Sequence, residues 1–319
     1  MISRSLIAGA LLVSMSGISF ANTTFPVWPQ GGEAPGAATS SAKPEVVERS
    51  KDPAMRDRAA TGIRAPELTV YAPEKPNGVG ILVTPGGSYQ RVVLDKEGSD
   101  LAPYFNAQGY TLFVMTYRMP GEGHKEGVDA PLADAQRALR TLRAQAANWK
   151  LNPQRIGVMG FSAGVHVAAR LGTQFDRAVT PPQDDIDRLS ARPDFMVLMY
   201  PVISMRDDIG HTGSRKQLLG QHSDEAGIVR YSPDQHVNAQ TPPTFLVHAV
   251  DDPSVSVENS MVMFSALKAK HIPVEMHLFE KGKHGFGIRG TTGLPVAVWP
   301  QLVDAWLSAL PVDSASSKK

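Results

Sequence analysis

The sequence predicts an α/β fold with a mainly parallel central sheet, and three observations carry that expectation. Short apolar runs alternate with longer stretches of helical period. The pentapeptide Gly160-Phe161-Ser162-Ala163-Gly164 closes one of the apolar runs and opens a helical one. The chain has 319 residues, of which 42% are hydrophobic, enough to bury one large α/β core or two small ones.

From the start of the chain, Arg4, the apolar stretch Leu6 to Val13 and the small residues ending Ser19-Phe20-Ala21 form the three-part pattern of a secretory signal, with cleavage expected after Ala21. The apolar core is too short to span a bilayer and is broken by Ser14, Ser16 and Gly17, so export is expected rather than membrane insertion. Residues 22–65 are rich in Pro, Gly, Ala and Ser and are expected to form an extended lead that wraps the domain. A catalytic domain over 66–312 and a polar tail over 313–319 follow.

Within that domain, Pro66 to Tyr71, Gly80 to Thr84, Gly109 to Tyr117, Arg155 to Gly160, Phe195 to Tyr200, Thr244 to Val250 and Val274 to Phe279 are predicted strands. Leu132, Ala135, Leu139, Leu142 and Ala146 recur at helical spacing, with Arg137, Arg140 and Arg143 off that face. Asn259 to Lys270 and Val298 to Leu310 have the same period. Gln174 to Arg192 and Met205 to Gln240 are polar and turn-rich, which predicts loops or a small cap over the carboxyl ends of the strands.

Composition excludes several classes of function. With 32 basic and 31 acidic residues in short mixed runs, nothing favours a nucleic-acid partner. There is no cysteine, which removes disulfides, a thiolate nucleophile and cysteine metal sites together. Aspartates and histidines are scattered without ligand spacing, so no metal and no cofactor are expected.

The chemistry concentrates at the strand ends. A serine between glycines at a strand-to-helix turn is held on a strained elbow with its hydroxyl exposed, which makes Ser162 a candidate nucleophile. A hydroxyl is a weak nucleophile near neutral pH, so it needs a base whose tautomer is fixed by an acid. His284, in the glycine-flanked loop after the last strand, is the candidate base. His166, His248 and His277 lie within a helix or strands and are read as structural.

For the acid, Asp251 and Asp252 stand side by side after the strand 244–250. Asp252, three residues before Val255, is preferred, and its neighbour is expected to cap the turn. Thr84-Pro85-Gly86-Gly87-Ser88-Tyr89 follows a buried strand and supplies a candidate oxyanion hole, with the N–H groups of Gly87 and Ser88 facing that of Ala163. The base must be neutral to act, and an ordinary histidine titrates near pH 6.5, so activity is expected to fall below about that pH.

Taken together, these segments resemble a bacterial α/β-hydrolase family of acetylxylan esterase-like and acetyl-sugar esterases, near the acetyl esterase and lipase group. The resemblance extends over most of the chain after the signal. It includes Trp28-Pro29-Gln30-Gly31-Gly32, Pro85-Gly86-Gly87-Ser88-Tyr89, Asp95-Lys96-Glu97-Gly98, Pro131-Leu132-Ala133-Asp134-Ala135-Gln136-Arg137-Ala138, Val257-Glu258-Asn259-Ser260 and Gly282-Lys283-His284-Gly285-Phe286-Gly287. It implies an α/β-hydrolase fold and a metal-independent serine esterase that removes acetyl groups from acetylated plant polysaccharide or oligosaccharide. The chain departs from the family pattern at Ser88, where a third glycine is common, and at Val165 after the elbow. Both side chains are expected near the acyl pocket. A serine peptidase of the prolyl oligopeptidase type shares this fold and triad but usually carries a propeller domain, and no such repeat is present here. A non-catalytic sugar-binding hydrolase homologue is the other alternative.

Overall fold

A computed structural model describes residues 23–29, 33–38, 43–221 and 223–311. The expected signal (1–21) and the tail (313–319) lie outside the described residues. In chain order the strands are β1 (Thr23–Pro26), β2 (Glu45–Glu48), β3 (Arg58–Thr61), β4 (Glu67–Tyr71), β5 (Gly80–Thr84), β6 (Val92–Val93), β7 (Thr111–Met115), β8 (Ile156–Phe161), β9 (Met196–Met199), β10 (Thr244–Ala249) and β11 (Val274–Phe279). The helices are α1 (Ala102–Ala107), α2 (Ala130–Ala144), α3 (Ala163–Thr173), α4 (Thr212–Leu219), α5 (Glu225–Arg230), α6 (Glu258–Ala269) and α7 (Trp299–Ala309).

Eight strands form one sheet in the order β1-β4-β7-β5-β8-β9-β10-β11. From β7 to β11 every neighbouring pair is parallel, while β1 and β4 join antiparallel at one edge. Strands β5, β7, β8, β9 and β10 are buried along their whole length, which is why they read as continuous apolar runs rather than alternating ones. Their side chains still alternate between two cores: Leu82, Phe113 and Val158 enter one, and Ile81, Val83, Leu112, Val114, Met159 and Phe161 enter the other. α2, α3 and α6 send Leu139, Val167 and Met263 into the first core, and α1 and α7 send Phe105 and Trp299 into the second. Every crossover in the parallel part therefore leaves a loop at the carboxyl end of a strand, where the candidate residues sit.

The structure adds elements that periodicity did not reveal. The stretch read as an extended lead contributes β1, which pairs Thr23 with Val70, and the strands β2 and β3, which join β6 in a small antiparallel sheet. These segments are four residues long or shorter and carry too few side chains to show a period. The polar stretch 205–240 contains the short helices α4 and α5, whose first turns are capped by His211 and Asp224.

A buried ion pair ties the first described residues to the domain. Arg118 is wholly buried, donates to both oxygens of Asp134, and reaches Glu126 and the Pro35 carbonyl. Asp134 also accepts the indole N–H of Trp28 at 2.8 Å, and the guanidinium groups of Arg118 and Arg137 both lie 5.9 Å from that ring. Removing one partner of such a pair leaves an uncompensated buried charge. Asp134→Leu is expected to destabilise the protein by about 3–5 kcal/mol in urea unfolding and to speed proteolysis within residues 23–38. Wild-type stability together with unchanged cleavage would contradict this docking role.

Candidate active site

Ser162 stands between β8 and α3 with φ 52° and ψ −121°, a conformation that costs a side-chain-bearing residue energy. Glycines on both sides make it possible. A methyl group on Gly160 would lie 2.7 Å from Val165 Cα, and one on Gly164 would collide with the carbonyls of Thr84 and Pro85. The elbow is thereby pressed against the end of β5, and Ser162 is 5% exposed. The backbone N–H of Ser162 donates to Met199, and its carbonyl accepts from Val165 and Val202.

The structure brings Ser162, His284 and Asp252 together. Ser162 Oγ lies 2.8 Å from His284 Nε2, and His284 Nδ1 lies 2.6 Å from Asp252 Oδ2. Asp252 Oδ1 accepts the N–H groups of Ser254 and Val255, which fixes the carboxylate at the end of β10. Burial alone would raise the Asp252 pKa, but hydrogen bonds from His248 and His284, together with the charge of His284, hold it well below the usual carboxylate range. Asp252 therefore stays ionised across neutral pH.

Asp251 does something other than cap its own turn. Its Oδ1 accepts the N–H groups of Gly282 and Lys283, so it fastens the loop that carries His284. The T-shaped Tyr200 ring, centred 5.1 Å away, supports the His284 imidazole from another side.

At the candidate oxyanion turn after β5, Gly87, Ser88 and Tyr89 all have positive φ. Gly87 has φ 139°, and any side chain there would run into the Arg91 carbonyl. A methyl on the preceding Gly86 would fall 2.8 Å from Ser162 Cβ, so this turn lies directly against Ser162. Among the described residues the N–H groups of Gly87, Ser88 and Ala163 donate to no protein acceptor. Ser88 is partly exposed, whereas Val165 is wholly buried within the first core.

Of three buried groups around this site, sequence reasoning reads His166 and His248 only as structural and gives Glu97 no role. Glu97 accepts the Gly86 N–H at 2.8 Å on one oxygen and the Tyr200 hydroxyl at 2.8 Å on the other, linking the turn after β5 to the side chain beneath His284. Burial, and then the Glu97 charge, pushes the Tyr200 phenol well up, so it remains a donor. His166 Nε2 donates to the Tyr231 carbonyl at 2.6 Å, which leaves Nδ1 to accept from Tyr89 at 2.7 Å and ties the turn after β5 to α3 and the end of α5. His248 reaches Asp252 itself. Glu97 lies in a segment that carried the family resemblance, the one available signal for it. His277, at 2.7 Å from Glu275 on β11, takes no part.

A cavity of about 740 Å³ opens beside the acid, between Asp207–Thr212 and Val250–Glu258. His211 lines it, with Nδ1 accepting from the Ser214 N–H. Burial first, and the nearby His284 charge second, lower the His211 pKa. Among the described residues no cluster of three or more histidine, aspartate and glutamate side chains could hold a metal ion, and no helix is long and apolar enough to cross a membrane.

A parallel sheet with a serine elbow, and with an acid and a histidine on the loops after its last two strands, defines an α/β hydrolase. The BD-FAE family profile matches residues 68–267, and the chain belongs to that family. It is 32% identical over 225 residues to an acetylxylan esterase of Xylanibacter ruminicola, covering 69% of this chain and 44% of that protein. It is 34% identical over 212 residues to endo-1,4-beta-xylanase B of Butyrivibrio fibrisolvens, covering 65% and 32%. The chain thus spans less than half the length of each of these two relatives. Among solved structures, the acetyl ester-xyloside bifunctional hydrolase of Caldicellulosiruptor lactoaceticus superposes with a TM-score of 0.74 at 35% identity, covering 92% of this chain and 98% of that one.

The buried His166 gives an acid-stability prediction. Burial, with the Arg170 charge adding to it, pushes its pKa down to about 3, while an unfolded histidine titrates near 6.5. Between those values the unfolded chain holds one more proton than the folded one. Stability therefore falls as pH drops through this window, with His166 contributing up to about 1.4 kcal/mol per pH unit. Urea unfolding at pH 7 and pH 5 is expected to show a smaller loss in His166→Gln than in wild type; equal losses would contradict it.

Proposed function

We propose that this chain is an exported serine carboxylic ester hydrolase that removes acetyl groups from acetylated plant polysaccharide or its oligosaccharides. The observation that carries the reading is the unbroken hydrogen-bond line Ser162 Oγ, His284 Nε2 and Nδ1, Asp252 Oδ2 at 2.8 Å and 2.6 Å. The likeness to the Xylanibacter ruminicola acetylxylan esterase and the Caldicellulosiruptor lactoaceticus acetyl ester-xyloside hydrolase supports the acetyl ester as substrate. The sequence pattern over 1–21 supports export.

In this reading the Ser162 hydroxyl gives its proton to His284 Nε2 as Oγ attacks the acetyl carbonyl carbon. Asp252 accepts the Nδ1–H and stabilises the imidazolium that forms. The new oxyanion is held by the N–H groups of Gly87, Ser88 and Ala163, the last at the positive end of α3. Collapse breaks the ester C–O bond, His284 Nε2 hands the proton to the leaving sugar oxygen, and acetyl-Ser162 remains. Water then attacks the acetyl carbon, giving its proton to His284, and acetate departs as the proton returns to Ser162.

The purified protein is expected to release acetate from acetylated xylan. Ser162→Ala is expected to lower kcat by at least about three orders of magnitude, and Asp252→Asn by a comparable factor, with the fold intact by circular dichroism. Equal acetate release by wild type and Ser162→Ala would overturn the mechanism. Hydrolysis of simple aryl acetates without any release from the polysaccharide would overturn the substrate while leaving the mechanism standing.

A further inference from the structure

Asp252 faces two histidines, and the second lies inside the protein. His248 is on β10, four residues before Asp252, and is 0% exposed. Its Nε2 lies 3.2 Å from Asp252 Oδ2 and 3.2 Å from the Val255 carbonyl oxygen. A carbonyl oxygen can only accept, so Nε2 carries a proton and is shared between the two. Nδ1, 2.9 Å from Ser260 Oγ on α6, is left to accept from that hydroxyl.

The oxygen that His248 touches is the same Oδ2 that receives His284 Nδ1, whereas Oδ1 is occupied by the N–H groups of Ser254 and Val255. Among the described residues no other side chain donates to Oδ2. We propose that His248 is a positioning residue for the triad: a fixed buried donor that holds Asp252 Oδ2 in line with His284 and moderates how tightly that carboxylate retains the His284 proton. The proposal rests on reading Ser162, His284 and Asp252 as a catalytic triad.

The sign of its effect follows from the charges present. His284 is faced by Asp252 from the end of β10, by Ser162 from the elbow and by the Tyr200 ring after β9. Glu97 acts on it through Tyr200, His211 lies near it at the start of α4, and Lys96 sits by the neighbouring Gly285. His248 itself is faced by Asp252, Val255 and Ser260. Taking away one donor from Asp252 concentrates its negative charge on the remaining partner. The His284 imidazolium becomes more stable, and a higher pH is needed to free the base.

The test compares His248→Leu, which removes the donor, with His248→Gln, whose amide nitrogen can stand near the position of Nε2. In His248→Leu, kcat on an aryl acetate, normalised to active-site titre, is expected to fall about tenfold to a hundredfold with little change in KM. The acid limb of its pH profile is expected to move up by about half a unit or more. His248→Gln should restore both. The midpoint of that limb does not depend on how much of the sample folds. An unmoved limb in His248→Leu, or a Gln variant that behaves like the Leu variant, would overturn the proposal.

Nitrogen-15 NMR of the wild-type protein supplies a measurement that needs no variant. The Nε2–H form of His248 is expected, and an Nδ1–H tautomer would equally overturn the proposal. If Ser162→Ala stays active, the triad reading itself falls; if Ser162→Ala is inactive while His248→Leu keeps its acid limb, only the role of His248 falls.

Discussion

The backbone at Ser162 is held at φ 52° and ψ −121° by the absence of side chains at Gly160 and Gly164, and the geometry of the whole site follows from that turn. A parallel strand that enters a helix without a loop must reverse its direction within a residue or two. The reversal is possible only where the helix can approach the strand and its neighbour closely. Gly160 lets α3 sit against β8, and Gly164 lets it sit against the end of β5. The serine is then the residue that projects, the Ala163 N–H opens the helix beside it, and the turn after β5 is forced alongside.

Around this strained centre the loops are tied by hydrogen bonds, most of them between buried groups. Glu97 joins the candidate oxyanion turn to Tyr200, Tyr89 and His166 join it to the end of α5, and Asp251 holds the loop of His284. Each bond satisfies a polar group that would be costly to bury alone, so the network resists displacement of any one loop. This is preorganisation: the proposed donors, base and acid are in position before substrate arrives. Ser88, Tyr89 and Tyr200 also hold positive φ, and the Tyr89 and Tyr200 hydroxyls are members of this network.

Much of this was legible in the sequence. The wholly buried strands are continuous apolar runs, and the motifs at their ends carry their residue types in the order that an α/β hydrolase requires. The misses have physical causes. β1, β2, β3 and β6 are pairs of short extended segments specified by their partners rather than by their own pattern. His248 reads as a strand residue because strand period says which face a side chain takes and nothing about what it meets there. Asp251 illustrates the same limit from the other side: its position beside Asp252 was visible, but the N–H groups of Gly282 and Lys283 that it accepts lie 31 and 32 residues away. Val165, expected near the acyl pocket, is wholly buried within the first core.

The acetylxylan esterase of Xylanibacter ruminicola and the xylanase of Butyrivibrio fibrisolvens are longer proteins of which the matched region forms less than half, so the BD-FAE unit here corresponds to one portion of each. The near-complete overlap with the Caldicellulosiruptor lactoaceticus structure shows the same unit forming almost all of a chain. What the account claims of that unit is a nucleophile at one residue, and the most direct measurement is mass-spectrometric mapping of the folded protein after treatment with a fluorophosphonate. The account predicts a single covalent adduct on the peptide that contains Ser162, lost in Ser162→Ala. An adduct on another residue, or none on a well-folded sample, would contradict it.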